Sequence, residues 1–220
     1  MTKEITLYHG SHKIIRHPTP SAGKAYNDYG QGFYCTRHEK LAGEWAVDSR
    51  SDGYINRYRL DCSDLHILNL NQAGFSILHW LTILLEHRTP KLNTPVMSNG
   101  LDYLKRHYHI NLINTDVVIG YRADDSYYSF ARAFLANTIS LEQLQDAMYL
   151  GELGEQYFIQ SQLAFDHLSF EAVSYADHTL YYPERKGRDL RARACYDRIL
   201  TNPNLKGTYL LDLMRKEELS

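Results

Sequence analysis

Strand-like and helix-like segments alternate along this chain without a regular βαβ rhythm, and that irregular order points to an α+β domain rather than α/β. Strands are expected at Ile5 to Tyr8, Gly32 to Thr36, Tyr54 to Leu60, Leu65 to Leu70, Asp116 to Tyr121 and Gln156 to Ile159, with Phe170 to Tyr175 as the last one's neighbour. Gln72 to His87 is apolar almost all round, which marks a buried helix. Thr36 with Glu39 has capping-box spacing before a helix carrying Leu41 and Trp45 on one face. Ser140 with Gln143 repeats that spacing before a helix at Leu141 to Leu150. Leu101, Leu104 and Tyr108 suggest a short amphipathic helix, Pro90 and Pro95 a loop before it, Tyr127 to Asn137 another helix and Thr208 to Glu218 a last one. At 220 residues there is room for one domain with a sizeable core, read as 1–200, and a helical tail at 201–220.

Two glycine-bearing segments carry the chemistry: Tyr8-His9-Gly10-Ser11 and Gly30-Gln31-Gly32-Phe33-Tyr34. Each sets a ring beside glycine, and glycine lets a ligand approach bare backbone. A histidine for ribose hydroxyls, glycine backbone for a carboxamide and flat rings for a pyridinium suit a nicotinamide dinucleotide, although neither segment is the Rossmann fingerprint. Breaking the nicotinamide–ribose bond needs little acid catalysis, because the leaving group is already a cation. It does need fixed ribose hydroxyls and an acceptor or negative charge beside the developing oxocarbenium ion.

These residues resemble the ADP-ribosyltransferase superfamily, in the branch related to diphtheria toxin and the poly(ADP-ribose) polymerases. His9-Gly10-Ser11 matches its first element, and Gly30 to Tyr34 its Gly-x-Gly-x-Tyr. Trp45 falls where a second stacking aromatic belongs, and Gln156 to Ile159 resembles the late strand that opens with glutamate. The chain also resembles an uncharacterised bacterial family with recurrent segments at Tyr121 to Tyr128 and Leu150 to Gln156. The resemblance implies an ADP-ribosyltransferase-like split β-sheet core with a NAD cleft and a helical insertion. It implies a glycosyl transfer that uses NAD as substrate. His9 would fix the ribose, Gly10 anchor the carboxamide, and Tyr34 and Trp45 flank the nicotinamide, with Ser11 and Gly32 beside them. Glu155 or Gln156 would meet the reaction centre. Strand alternation lets only one of that pair face the cleft, and the glutamate position is filled by Gln156.

Arg122-Ala123-Asp124-Asp125 follows a buried strand. Its charges either cap the next helix and pair locally, or line the cleft, with Asp124 or Asp125 supplying negative charge or orienting an acceptor. Lys186, Arg188, Arg191, Arg193 and Arg198 read as a solvated helix face, with phosphate contact as the other reading.

The leading expectation is a cytoplasmic NAD-dependent mono-ADP-ribosyltransferase acting on a protein or nucleic acid, such as a bacterial toxin with a neutralising antitoxin partner. A non-catalytic NAD or ADP-ribose binding module and an RNA 2′-phosphotransferase are the alternatives. With a net charge of −2, no broad nucleic-acid footprint stands out. Cys35, Cys62 and Cys195 are too few and too widely spaced for a disulfide framework or zinc site, and Cys35 should face the core, away from Tyr34. His12, His17 and His38 read as surface residues. His107 and His109 have the spacing of one strand face but no third ligand, so no metal is expected.

Overall fold

The computed structural model describes residues 4–123, 125–150 and 154–218. Its strands are β1 (Glu4–Ser11), β2 (Phe33–Thr36), β3 (Gly53–Asp61), β4 (Ile67–Asn69), β5 (Val117–Tyr121), β6 (Glu155–Ile159) and β7 (Leu168–Ala176). Its helices are α1 (Glu39–Ala46), α2 (Ile77–His87), α3 (Pro95–Tyr108), α4 (Asp125–Leu135), α5 (Leu141–Leu150), α6 (Gln162–Asp166), α7 (His178–Thr201) and α8 (Leu210–Glu218). The architecture is α+β: one seven-stranded mixed sheet in the order β4-β5-β6-β2-β1-β3-β7, in which only β4 and β5 run parallel. None of the described helices is long and apolar enough to cross a membrane.

Side chains alternate across the sheet, so each strand feeds two cores. Leu7, Phe33, Cys35, Tyr157 and Ile159 pack on one face with Phe165 of α6. Phe158 and Val118 face the other way, into the larger core built by α2, α3, α4 and α5. Cys35 is fully buried, in the core opposite Tyr34, as alternation requires. The apolar helix α2 is buried along most of its length. Its Trp80 is 1% exposed and donates its indole N–H to the Tyr121 carbonyl at 2.9 Å, so the polar handle is satisfied within the core.

Several local expectations are corrected. The Phe170 to Tyr175 segment does not neighbour β6. As part of β7 it pairs with β3 from Gly53↔Ala176 to Leu60↔Leu168, at the far edge of the sheet. Thr36 and Glu39 form no capping box: His38 is the N-cap of α1, and the Thr36 hydroxyl accepts from the His38 N–H instead. Pro95 opens α3 rather than prolonging the loop. There its missing N–H costs nothing, and the Thr94 hydroxyl caps the helix by accepting from Met97 N–H. That helix runs through His107, so His107 and His109 share no strand face. They meet Glu217 and Glu86 respectively. The basic run lies in α7, a 24-residue helix that tolerates Pro183 one turn in.

The last helix is docked. Leu210 is fully buried, and it sits where a side chain at Gly100 would strike it, close to Leu135. Leu210→Ala is expected to lower stability by about 2–3 kcal/mol, the loss of a fully buried leucine side chain. A urea midpoint unchanged in that variant would show α8 to be a dispensable appendage.

Candidate functional site

The sheet splits between β1 and β2. These strands share one register pair, Tyr8↔Thr36. Beyond it β1 stays with β3 as far as Ser11↔Tyr54, and β2 stays with β6 as far as Phe33↔Ile159. A wedge therefore opens between them, and among the described residues the β1 edge facing it has no ladder partner past Tyr8. Backbone polar groups on such an edge are available to a ligand's carboxamide.

His9 stands in this wedge. Its ring stacks on Phe33, with centroids 4.2 Å apart, and its Nδ1 meets the Tyr34 carbonyl at 2.7 Å. A carbonyl only accepts, so Nδ1 carries the proton. Burial lowers the imidazole pKa, the carbonyl contact offsetting part of that effect, so the ring is neutral at pH 7. Neutral and protonated at Nδ1, it has Nε2 as an acceptor, and Nε2 has no hydrogen-bond partner among the described residues. The unfolded chain takes up the His9 proton near the ordinary value of 6.5 while the folded one resists, so stability drops as pH falls below 6.5. The stability gap between wild type and His9→Gln, read from urea midpoints, is expected to narrow from pH 7 to pH 5. A gap that widened would reverse the tautomer argument.

Tyr34 buttresses the Gly30 turn. Its hydroxyl donates to the Gly30 carbonyl at 2.6 Å and accepts from the Tyr29 N–H at 3.1 Å, while its ring leans on Phe158. Burial holds that phenol far above its usual range, so it remains a donor. The glycines of both motifs have packing reasons. Gly30 has φ +93°, which side chains rarely adopt, and Gly32 lies against the Phe158 ring and the Ile159 carbonyl. Gly10 offers its bare Cα to α1: a Cβ there would overlap the Ala42 carbonyl and lie 2.7 Å from Ala46 N. The bare face of Gly10 is thus taken by a helix, and a ligand can use only its backbone edge. Ser11 ends the strand, its hydroxyl accepting from Lys13 N–H at 3.2 Å.

On β6 the Glu155–Gln156 pair divides as alternation demands. Gln156 pairs with Thr36 and shares the face of Tyr34. It is 5% exposed, and its Oε1 has no hydrogen-bond partner among the described residues. Glu155 turns to the opposite face, the one His9 shares with Phe33, where Asn71 Nδ2 donates to Oε1 at 2.9 Å and the Tyr157 hydroxyl to Oε2 at 3.3 Å. A buried amide oxygen without a partner is costly, and a donor supplied by water or ligand relieves it.

Trp45 projects from α1 against the segment after β5. The Arg122 guanidinium lies over its ring, 3.7 Å from the centroid. Asp125 begins α4 and pairs with Arg88 at 2.9 Å; Asp124 lies outside the described residues, as do 151–153 of the Leu150 to Gln156 segment. Sequence reading missed what holds this segment. Arg88 donates to the Ala123 carbonyl at 2.9 Å, Asp28 accepts from the Ala123 N–H at 2.9 Å, and the Tyr29 hydroxyl donates to the Tyr121 carbonyl at 2.6 Å. Asp28 and Tyr29 adjoin the Gly30 motif, and an aspartate inside an aromatic-glycine run is the signal that could have revealed it. Arg88 lies 35 residues from its partner and left no local trace.

Among the described residues, the potential metal ligands Asp52, Asp177 and His178 fall within 4.8 Å of one another. Asp52 accepts from the His178 N–H and the Tyr175 hydroxyl, which hold its carboxyl down to about 2, and Asp177 caps Thr179. These bonds tie the start of β3 to the start of α7.

A family described as "Protein of unknown function (DUF3990)" matches residues 5–170, which span β1 through the beginning of β7 and so include every element of the wedge. None of the curated proteins compared with the chain matches it.

Proposed function

The chain belongs to the DUF3990 family, whose function is unknown, and from its own residues we propose that it is a NAD-dependent mono-ADP-ribosyltransferase on an ADP-ribosyltransferase-like split sheet. The observation that carries this reading is His9: a neutral imidazole locked by Tyr34 in the opening between β1 and β2, with Nε2 left as an acceptor. An acceptor fixed in that way suits a ribose hydroxyl. The unladdered edge of β1 near Gly10 suits the nicotinamide carboxamide, whose donor and acceptor both match a strand edge. Tyr34 and Trp45 supply aromatic surface for the pyridinium.

In the proposed reaction the bond between ribose C1′ and the nicotinamide nitrogen breaks, and its electron pair leaves with nicotinamide. The acceptor's nucleophile then bonds to C1′ and gives up its proton to solvent or a nearby base. His9 and the strand edge orient the ribose and the ring, which is the larger part of the work for a leaving group already activated. Gln156 brings an amide oxygen to the face of Tyr34; it accepts from a hydroxyl but stabilises a cation less than a carboxylate would. Slow single transfer, not polymer formation, is the expected behaviour.

The test is release of free nicotinamide from NAD by the purified full chain, with labelling of lysate macromolecules read by mass spectrometry. Release that falls at least about tenfold in Gln156→Ala, or about 1.4 kcal/mol of barrier, supports the transferase. Saturable NAD binding without release identifies a binding module instead, and the absence of both ends the reading.

A further inference from the structure

A cavity of about 380 Å³ lies between α1, the residues following β5 and the N-terminal half of α7. Its cationic lining is Arg122, Arg185, Lys186, Arg188 and Arg193, and Trp45 forms an aromatic part of its wall. Four carboxylates also reach it, and each is already engaged. Glu44, 1% exposed, takes Arg188 in a two-pronged contact at 3.0 and 3.1 Å. Asp189 takes Arg193 at 2.8 Å and the Ser126 hydroxyl. Asp125 is bound by Arg88, which comes from outside the cavity, at 2.9 Å. Asp48 closes its own turn by accepting from the Arg50 N–H at 2.8 Å, which leaves its charge in place as one negative group against Arg122, Arg185 and Lys186.

Arg185 and Lys186 are compensated less. Arg185 Nη1 donates to the neutral Val47 carbonyl at 2.7 Å, a bond that fixes the guanidinium without cancelling its charge, although that charge also acts on Asp189. Lys186 is exposed and makes no ion pair among the described residues. The guanidinium that is held in place is a planar fork, the neighbouring ammonium a point charge, and the adjacent indole a flat wall. That combination recognises phosphate attached to something planar. The segment that supplies it, α7, begins at His178, beyond the residues matched by the family.

We propose that this groove binds the phosphate groups of a nucleotide, with Arg185 and Lys186 as the phosphate contacts and Trp45 as the wall beside them. Two sources carry that chemistry: the diphosphate of the dinucleotide itself, or a phosphate on a separate acceptor. Phosphate binding here does not require ADP-ribosyl transfer, so the two ideas fail separately.

The experiment is calorimetric titration of the full chain with sodium pyrophosphate, ADP and adenosine at low ionic strength. Pyrophosphate and ADP should bind one to one, with adenosine at least about tenfold weaker, a difference of about 1.4 kcal/mol. The double variant Arg185→Ala/Lys186→Ala should weaken pyrophosphate binding at least about tenfold, because both groups are exposed and their loss leaves the fold intact. Arg191→Ala, on the same helix but outside the cavity, should change it by less than about twofold. NAD that displaces pyrophosphate assigns the groove to the dinucleotide's diphosphate, whereas simultaneous binding assigns it to an acceptor. Adenosine binding as tightly as ADP, no saturable pyrophosphate binding, or equal weakening by Arg191→Ala would overturn the proposal.

Discussion

His9→Ala is expected to reduce nicotinamide release from NAD by at least about a hundredfold while the chain stays folded, a loss of about 2.7 kcal/mol of barrier stabilisation. The imidazole packs at the edge of one core. Its ring covers one face of Phe33, and its only hydrogen bond among the described residues is to the Tyr34 carbonyl. Removing it uncovers that face of the buried Phe33 and leaves the carbonyl without its donor, so the structural cost is one ring contact and one hydrogen bond, about 1–3 kcal/mol. The proposed reaction, by contrast, would lose the acceptor assigned to the ribose, and positional control is worth more to such a reaction than acid or base chemistry. Two measurements separate the effects. Urea denaturation should shift modestly with an unchanged slope, and NAD labelling should vanish. His9→Gln restores a hydrogen-bonding side chain without the ring and should recover the fold more than the activity. Labelling that persists undiminished in His9→Ala would remove the wedge as the reaction centre.

How much of this was legible in the sequence depended on the range over which each signal acts. The Ser140/Gln143 pattern is local and was realised in full: the Ser140 hydroxyl accepts from Gln143 N–H, and the Gln143 amide oxygen accepts from Ser140 N–H. The apolar circumference of α2 is likewise a property of its own residues, and it forced burial. Thr36 and Glu39 show the same spacing and failed, because Thr36 is the last residue of β2, fully buried and paired with Tyr8 and Gln156. Sheet partnership overrode the cap. The partner of β7 depends on which edge of the sheet remains open, and no local pattern states that. Trp45 was placed correctly on a helix, but its contact with Arg122 joins residues far apart in sequence, and nothing in either motif announced it. The division of Glu155 from Gln156 needed register. Alternation said that the two must part; the pairings Tyr8↔Thr36 and Thr36↔Gln156 put Gln156 on the face of Tyr34 and Glu155 on that of His9.

Gly10→Ala is expected to destabilise the fold by at least about 3 kcal/mol, beyond the usual cost of one added methyl in a packed site. Its motif invites the reading that the glycine serves a ligand, and the packing gives it a different main task. Helix α1 crosses β1 so closely that a Cβ at residue 10 would overlap the Ala42 carbonyl oxygen and crowd Ala46 N at 2.7 Å. Both obstacles are backbone, so no side chain can rotate away, and the helix must shift as a body. It is not free to do so. Ala42 and Ala46 are fully buried against Ile55 and Ala176, and Glu44 is bound to Arg188 of α7. The same crossing places Trp45 at the end of α1, so displacement of the helix also moves the aromatic wall away from Arg122. Chemical denaturation should therefore show a large loss of stability, with loss of NAD binding following from it and not preceding it. Gly10→Ala with native stability but without NAD binding would give the opposite answer, that the bare Cα serves the ligand and that α1 yields readily.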